Sequence, residues 1–455
     1  MRVDAVVYAN ERLLPLLRDD KSLEQLANAA CLPGVVEPVI GMPDIHEGFG
    51  LPIGGVMAVE VDGIISAGAV GMDINCGVRL VRTDLPARDL DRPVLRRLME
   101  RIEDHVPTGV GKKGKHKGIG TAIFEAVAQK GAAAVLEAGF GDAADLEYIE
   151  ERGCLPGADL GAVSREAYNR GAGQLGTLGG GNHFIELQVV TDTFDEDAAR
   201  RFGLFTGQLT VMIHTGSRGF GHQICTDYTK RLAAAAPKYG IELPNRGLAC
   251  APINSPEGQN YYKAMACAVN FAFANRQIIM TDIMRAFSDV TGRSPEKMGM
   301  RLVYDVAHNI AKWEKHYGKK YLVHRKGATR ALCPGHPANP EVYRESGHPA
   351  LVPGSMGTAS YILVGTEKAA ETFFSVNHGA GRVLSRTAAE KQITRDDFDR
   401  AMGEILYNAR HYKELVDEAP PAYKDIEQVV ATLVDVGITK KVARMMPLAV
   451  VKGKD

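Results

Sequence analysis

The chain has almost no net charge: 54 Lys and Arg balance 55 Asp and Glu, leaving −1 over 455 residues. No long-range field therefore draws in a polyanion, and a nucleic-acid partner would need a local basic patch. Cysteine is sparse and scattered. The seven (31, 76, 154, 225, 250, 267, 333) contain no C-x-x-C pair, which argues against a disulfide framework or a zinc finger and predicts a reducing, cytoplasmic compartment. Long apolar runs are lacking too. The longest, "YYKAMACAVNFAFANRQIIMTDIMRAF", is broken by Lys263, Asn270, Asn275, Arg276 and Asp282, so it reads as a buried helix and not a membrane span. The charged N-terminus "MRVDAVVYANERLLPLLRDD" does not read as a signal peptide. Repeats, Pro/Ser-rich linkers and a GxxxxGK[ST] phosphate loop are missing as well.

What the chain has in excess is glycine, 49 residues gathered in motifs, the pattern of tight turns and close backbone approach to a ligand. Residues 1 to 35 read as helical, and 36 to 85 as strands joined by glycine turns. Helical spacing resumes over 88 to 105 and dominates 257 to 290. "HFIELQVV" and "LTVMIHTG" are strand-like, as are short runs over 300 to 385, and the chain from 386 reads as helical. There, Thr394 and Asp397 have capping-box spacing. Strands and helices interleave without a βαβ beat, which predicts an α+β fold: one compact domain over 1–455, mixed sheets flanked by helices, and a helical C-terminal region.

Chemistry-bearing residues lie in the glycine-rich turns. "GMDINCGVRL" sets Asp73 three positions before Cys76. His46, His183, His214, His308 and His378 stand beside glycines or at strand ends, whereas His116 sits among lysines on a stretch read as solvated. Singly, each has a plain structural reading: Cys76 as a small buried hydrophobe, Asp73 as a turn former, the histidines as hydrogen-bonded side chains. Together, sulfur, carboxylate and several imidazoles are a donor set for one or two transition metals, with the thiolate able to bridge. "HTGSRGFGH" offers amides with Ser217 and Arg218 for a phosphate. "VHRKGATRALCPG", with Arg325, Lys326 and Arg330, and "GKKGKHKG", with four lysines, could line a polyanion track, or be solvated loops. No aromatic-rich RNP-type run accompanies them, which leaves base stacking without support. In "NHGAGR", His378 could attack phosphorus or be a further metal ligand, and spacing does not separate the two.

In order along the chain stand "MPDIHEGFGLPIGG", "GMDINCGVR", "GGGNHFIE", "HTGSRGFGHQ", "YDVAHN", "HRKGATRA", "PGSMGTASY", "NHGAGR" and a final "VVKG". This set resembles the RtcB family of RNA-splicing ligases over at least residues 42–453, and "PTGVGKKGK" is closer to its longer archaeal and eukaryotic-type members. The resemblance implies a GTP- and manganese-dependent enzyme joining RNA 3′-phosphate or 2′,3′-cyclic phosphate ends to 5′-hydroxyl ends, in tRNA splicing or RNA repair. It implies His378 as the guanylylated nucleophile. One Mn2+ would be held by Asp73, Cys76 and His183, and the second by Cys76, His214 and His308. Guanylate contacts are implied for Asn182, His183, Phe184, Ile185, Glu186, His308, Asn309, Pro353, Gly354, Ser355, Met356, Ser360, His378, Gly379, Ala380, Gly381 and Lys452. RNA is the implied partner, with an archease-type activating protein in parts of the family. Thiolate and imidazole donors would ordinarily favour zinc over manganese, so manganese rests on the resemblance and zinc is expected to bind and inhibit.

Overall fold

Two large sheets meet end to end in the computed structural model, which describes residues 1–18, 20–116, 118–408 and 412–453. The larger runs, in spatial order, Ala350–Val352, Ser360–Gly365, Thr439–Lys452, Phe184–Thr193, Gln208–Thr215, Gly77–Pro86 and Arg301–Ala307, with Leu406–Tyr407 paired alongside Thr439–Lys452. The smaller runs Ala5–Val7, Val39–His46, Ile53–Val59, Lys319–Lys326 and Asn309–His316. One residue, His308, separates the last strand of the first sheet from the last strand of the second. A short ribbon, Ala328–Arg330 with Ser375–Asn377, lies beside this junction.

Behind the larger sheet lies the helix Pro256–Thr291, about 54 Å long at ~1.5 Å per residue. The Ser255 hydroxyl accepts from the Gly258 amide at its start, Pro256 fills the first turn, and Gly292 at φ 68° ends it. Helices Arg92–His105, Thr121–Lys130, Ala132–Glu137 and Arg218–Ala235 pack around it, so it is apolar on nearly every face. Leu95, Leu98, Met99 and Ile102 of Arg92–His105 share the buried stripe that 3.6-residue periodicity predicts.

The polar residues that interrupt the long helix fasten loops to it. Asn270 accepts from the Leu155 amide and donates to Ala128 O, and Asn275 accepts from the Gly176 and Thr177 amides. Asp282 takes His116, whose Nε2 is 2.7 Å from the carboxylate with its ring edge-on to Phe140. His116 is thus not the solvated residue its lysine neighbours suggest: a buried carboxylate draws it inward. No described helix is long and apolar enough to cross a membrane.

The α+β class and mixed sheets stand as expected, as does the capping box at Thr394 and Asp397. The C-terminal region carries helices Arg386–Gln392, Arg395–Met402 and Ile426–Asp435, but it closes with the strand Thr439–Lys452 in the middle of the larger sheet. Pro447 hides that strand from a sequence reading, because proline is ordinarily excluded from sheet interiors; here it sits at a register shift between Pro447 and Ala449. The N-terminal 35 residues contain the helix Ser22–Ala29 but also the strand Ala5–Val7.

Candidate active site at the sheet junction

Strand register assembles the donors. Gly77 pairs with Thr215 on one side and Ala307 on the other, and Phe184 pairs with His214. Cys76, His183, His214 and His308 therefore all lie at the same end of the larger sheet. The turn before Gly77–Pro86 is fixed by Asn309, whose Nδ2 donates to Asp73 O, and by the Asn75 amide donating to Asn309 O. Asn75 takes φ 51°, a conformation asparagine tolerates better than most residues.

The side chains converge as two triads sharing the sulfur. Cys76 Sγ is 3.5 Å from His183 Nε2 and 3.2 Å from His214 Nε2. His214 Nε2 is 3.2 Å from His308 Nε2, and His183 Nε2 is 2.8 Å from Asp73 Oδ2. Within each of Asp73–Cys76–His183 and Cys76–His214–His308, all ligand atoms lie within 4.8 Å of one another. Burial, reinforced by neighbouring imidazoles, holds His214 and His308 well below the usual histidine range, so both are neutral donors. Burial would raise Asp73, but His183 and Arg218 outweigh it and hold the carboxylate at about 2. Burial and Asp73 push the Cys76 thiol well up, a cost that a bound cation removes by stabilising the thiolate. One carboxylate, one sulfur shared by both triads and three imidazoles are a donor set that fits a pair of divalent cations.

Behind the triads, Arg276 of the long helix is fully buried. It donates to Asn75 O at 2.9 Å, Thr215 O at 2.8 Å and Asp305 Oδ1 at 2.8 Å. One guanidinium thus ties the Cys76 turn, the end of the His214 strand and the strand leading to His308.

His378 follows the ribbon strand Ser375–Asn377, and its ring lies 4.9 Å, centre to centre, from that of His308. Asp44 is buried, and its Oδ2 accepts from the His378 amide at 3.0 Å, His378 Nδ1 at 2.7 Å and the Gly379 amide at 3.3 Å. A carboxylate facing Nδ1 fixes the proton there and leaves Nε2 with its lone pair. Gly381, at φ +75°, lets the loop close on Asp44: a Cβ there would lie 2.2 Å from the Asp44 carbonyl oxygen.

A cavity of about 360 Å³ joins these groups. Among the residues the resemblance singles out, Asp73, Cys76, Asn182, Phe184, His214, His308, Asn309, Pro353, Gly354, Ser355, Met356, His378, Gly379, Ala380, Gly381 and Lys452 line it. His183 completes the first triad from behind. Ile185 faces the core beside the long helix, leaving only its backbone for a ligand. Glu186 and Ser360 are buried and connected through Gln188, whose Nε2 donates to Glu186 Oε2 at 2.8 Å and to Ser360 Oγ at 3.1 Å. Burial, partly countered by Gln188 and Lys452, raises the Glu186 carboxyl to about 8.

The basic segments separate. Arg325 is fully buried on Glu314, at 2.6 Å and 2.9 Å, and Arg330 pairs with Glu151 at 2.9 Å. Lys326 is buried against the carbonyls of Phe49 and Gly68. Arg325 and Arg330 cannot form a polyanion track, because their charges are taken up by carboxylates inside the protein, whereas Lys326 is held by carbonyls alone and borders the cavity. Lys112, Lys113 and Lys115 are exposed on a loop tied to the segment before His183 by Gly109 N to Gly179 O and Gly114 N to Gly173 O, each 2.9 Å. Lys117, the fourth lysine of that segment, lies outside the described residues. Ser217 and Arg218 turn toward the first triad, at 3.4 Å from Asp73 and 3.2 Å from His183. Asp44 and Arg276 were missed by sequence reasoning: Asp44 lies 334 positions from His378, and Arg276 showed only as a polar break in an apolar helix.

The family profile described as tRNA-splicing ligase RtcB matches residues 25–453. Among curated proteins, the tRNA-splicing ligase RtcB of Methanococcus maripaludis is 50% identical over 461 residues, spanning 100% of this chain and 95% of the relative. That of Archaeoglobus fulgidus is 49% identical over 463 residues and that of Thermococcus kodakarensis 48% over 461, with the same coverage of each chain. With the profile matched over nearly its whole length and half its residues shared with such relatives, the chain belongs to the RtcB family.

Proposed function

We propose that this protein is a GTP-dependent RNA ligase of tRNA splicing, and of RNA repair where broken ends carry the same groups. It joins a 3′-phosphate end to a 5′-hydroxyl end. The observation that carries the reading is the shared cavity, in which a histidine with one ring nitrogen committed to Asp44 stands beside two donor triads.

His378 Nε2 attacks the α-phosphorus of GTP, the N–P bond forms and pyrophosphate leaves. Asp44 keeps the proton on Nδ1, so the ring is nucleophilic without losing it, and stabilises the positive ring as charge develops. An oxygen of the RNA 3′-phosphate then displaces the imidazole and takes the GMP. Finally the 5′-hydroxyl of the second strand attacks the 3′-phosphorus and GMP departs. A 2′,3′-cyclic end is first hydrolysed to the 3′-phosphate. Two manganese ions held by Asp73, Cys76 and His183 and by Cys76, His214 and His308 would neutralise phosphate oxygens. Asn182, Phe184, 353–356 and Lys452, which line the cavity, are the proposed guanylate contacts, with the buried Glu186 and Ser360 behind them. The free thiols of all seven cysteines favour a reducing compartment, the cytoplasm. An archease-type protein is the proposed activator.

Incubation with α-labelled GTP and manganese tests this directly. Label should join the wild-type chain and be absent from His378→Ala. Hydrolysis of a cyclic phosphate end with no labelled protein would mean a phosphoesterase instead.

A further inference from the structure

Residues 47–52 join the strands Val39–His46 and Ile53–Val59 and reach the cavity through Phe49. The backbone of this loop is fastened at successive residues. The Glu47 amide donates to Asp20 Oδ2 at 3.0 Å, and Gly48 exchanges two hydrogen bonds with the Gln25 amide group, at 3.0 and 2.6 Å. Phe49 O accepts from Lys326 Nζ, and the Leu51 amide donates to Gly68 O at 3.3 Å. Gly50, at φ +83°, touches the backbone of Gly247 so closely that a Cβ would lie 2.4 Å from its carbonyl oxygen.

A loop this well anchored could have buried its phenylalanine, yet Phe49 is 44% exposed. Among the described residues, three carbocyclic rings line the cavity, Phe49, Phe184 and Tyr423. Phe184 is buried, and Tyr423 is covered by the Arg382 guanidinium 5.0 Å from its centre. Among the described residues no ring or cation stacks on Phe49. Lys326, which holds the Phe49 carbonyl, also donates to Gly68 O at 3.2 Å, and its chain runs beside Gly71 in the turn carrying Asp73 and Cys76. The ring and the cation-binding turn are therefore held in one register. The guanylate candidates Phe184 and Lys452 border the same cavity and are grouped with one another, the Lys452 ammonium 5.9 Å from the Phe184 ring centre and 3.6 Å from Glu418.

We infer that Phe49 is a stacking platform for the nucleobase at the end of an RNA strand entering the cavity. A flat apolar face accepts any of the four bases, because each presents a π surface, and so it holds an end without selecting its sequence. The inference rests on the reading of the protein as an RNA ligase and adds how a strand end is seated.

The test measures equilibrium binding of two short RNAs, one ending in a 3′-phosphate and one in a 5′-hydroxyl, each with a normal or an abasic terminal nucleotide. Wild-type protein should bind at least one end about tenfold tighter with its base than without it. Phe49→Ala and the bulky but non-planar Phe49→Leu should lose that preference, and Phe49→Trp should keep it. Equal discrimination by wild type and Phe49→Leu, or none by wild type, overturns the inference. So does a Phe49→Leu variant that needs more GTP for labelling while its RNA discrimination is unchanged, which would assign the ring to guanine. Failure of the wild-type chain to take label from GTP would instead unseat the ligase reading.

Discussion

Asp44 receives three N–H donors on one oxygen, two from backbone and one from the His378 ring. In the proposed mechanism its charge, and not only its shape, sets the ring's tautomer and supports the positive imidazole formed when Nε2 is consumed. Asp44→Asn keeps the volume and removes the charge, so labelling by GTP should slow by about a hundredfold or more while GTP still binds. A labelling rate within a few fold of wild type would separate Asp44 from the chemistry. Glu186 makes a different prediction. Its carboxyl titrates near 8 in the fold because burial disfavours the charge. Between the ordinary carboxyl range and pH 8 the folded chain therefore holds a proton that the unfolded chain releases, and stability from this group falls as pH rises through that window. Glu186→Gln, which mimics the protonated form, should match wild type in urea unfolding near pH 4 and exceed it near pH 9, by an amount on the order of a few kcal/mol. Parallel pH profiles for the two proteins would contradict this.

At the scale of elements, the long helix positions the site. Arg276 fastens the three segments that carry the donor triads from a single side chain, and the geometry needs its planar fork. Arg276→Lys preserves the buried charge opposite Asp305 but reaches fewer of these acceptors. The purified variant should hold less manganese after dialysis, by elemental analysis, and label more slowly; full metal content at wild-type labelling would show that the fork is dispensable. The basic loop before His183 is the second element with a testable role. Because Lys112 and Lys113 are exposed, reversing both charges should weaken RNA binding and flatten its salt dependence, by about 0.7 in the log–log slope per lost single-strand phosphate contact. An unchanged slope would remove the loop from the RNA path. Arg325 carries no such expectation, since its charge is already committed to Glu314 inside the protein.

For the whole molecule, burial of neutral imidazoles sets a limit on acid tolerance. Burial lowers His46 and His324 to about 4 and His348 to about 3. The unfolded chain protonates these rings near the usual histidine value while the folded chain refuses, so stability is lost as pH falls from about 6.5 toward 4. Glu150, buried yet held at about 2 chiefly by Lys312 and Arg330, extends the loss to lower pH. Thermal unfolding should therefore move down steadily below pH 6.5, and a flat profile between 6.5 and 4 would mean the rings are solvated.

The sequence by itself determined the parts: glycine-rich turns, the donor residues in them, the long apolar helix, the capping box at Thr394 and Asp397, and motifs ordered closely enough to name a family. These are legible because local periodicity, turn chemistry and motif spacing act over a few neighbouring positions. Only the tertiary structure decided which residues meet. The pairings of Gly77 with Ala307 and of Phe184 with His214 bring four candidate metal donors to one sheet end. The contact between Asp44 and His378 selects the free ring nitrogen. Burial turned Arg325 and Arg330 from candidate RNA contacts into internal ion pairs, set Lys326 against backbone carbonyls at the cavity, and left Phe49 in the open. Strand register and desolvation are properties of the assembled chain: a lysine or a phenylalanine carries the same letter whether its surroundings are water or protein, and what it can do depends on which.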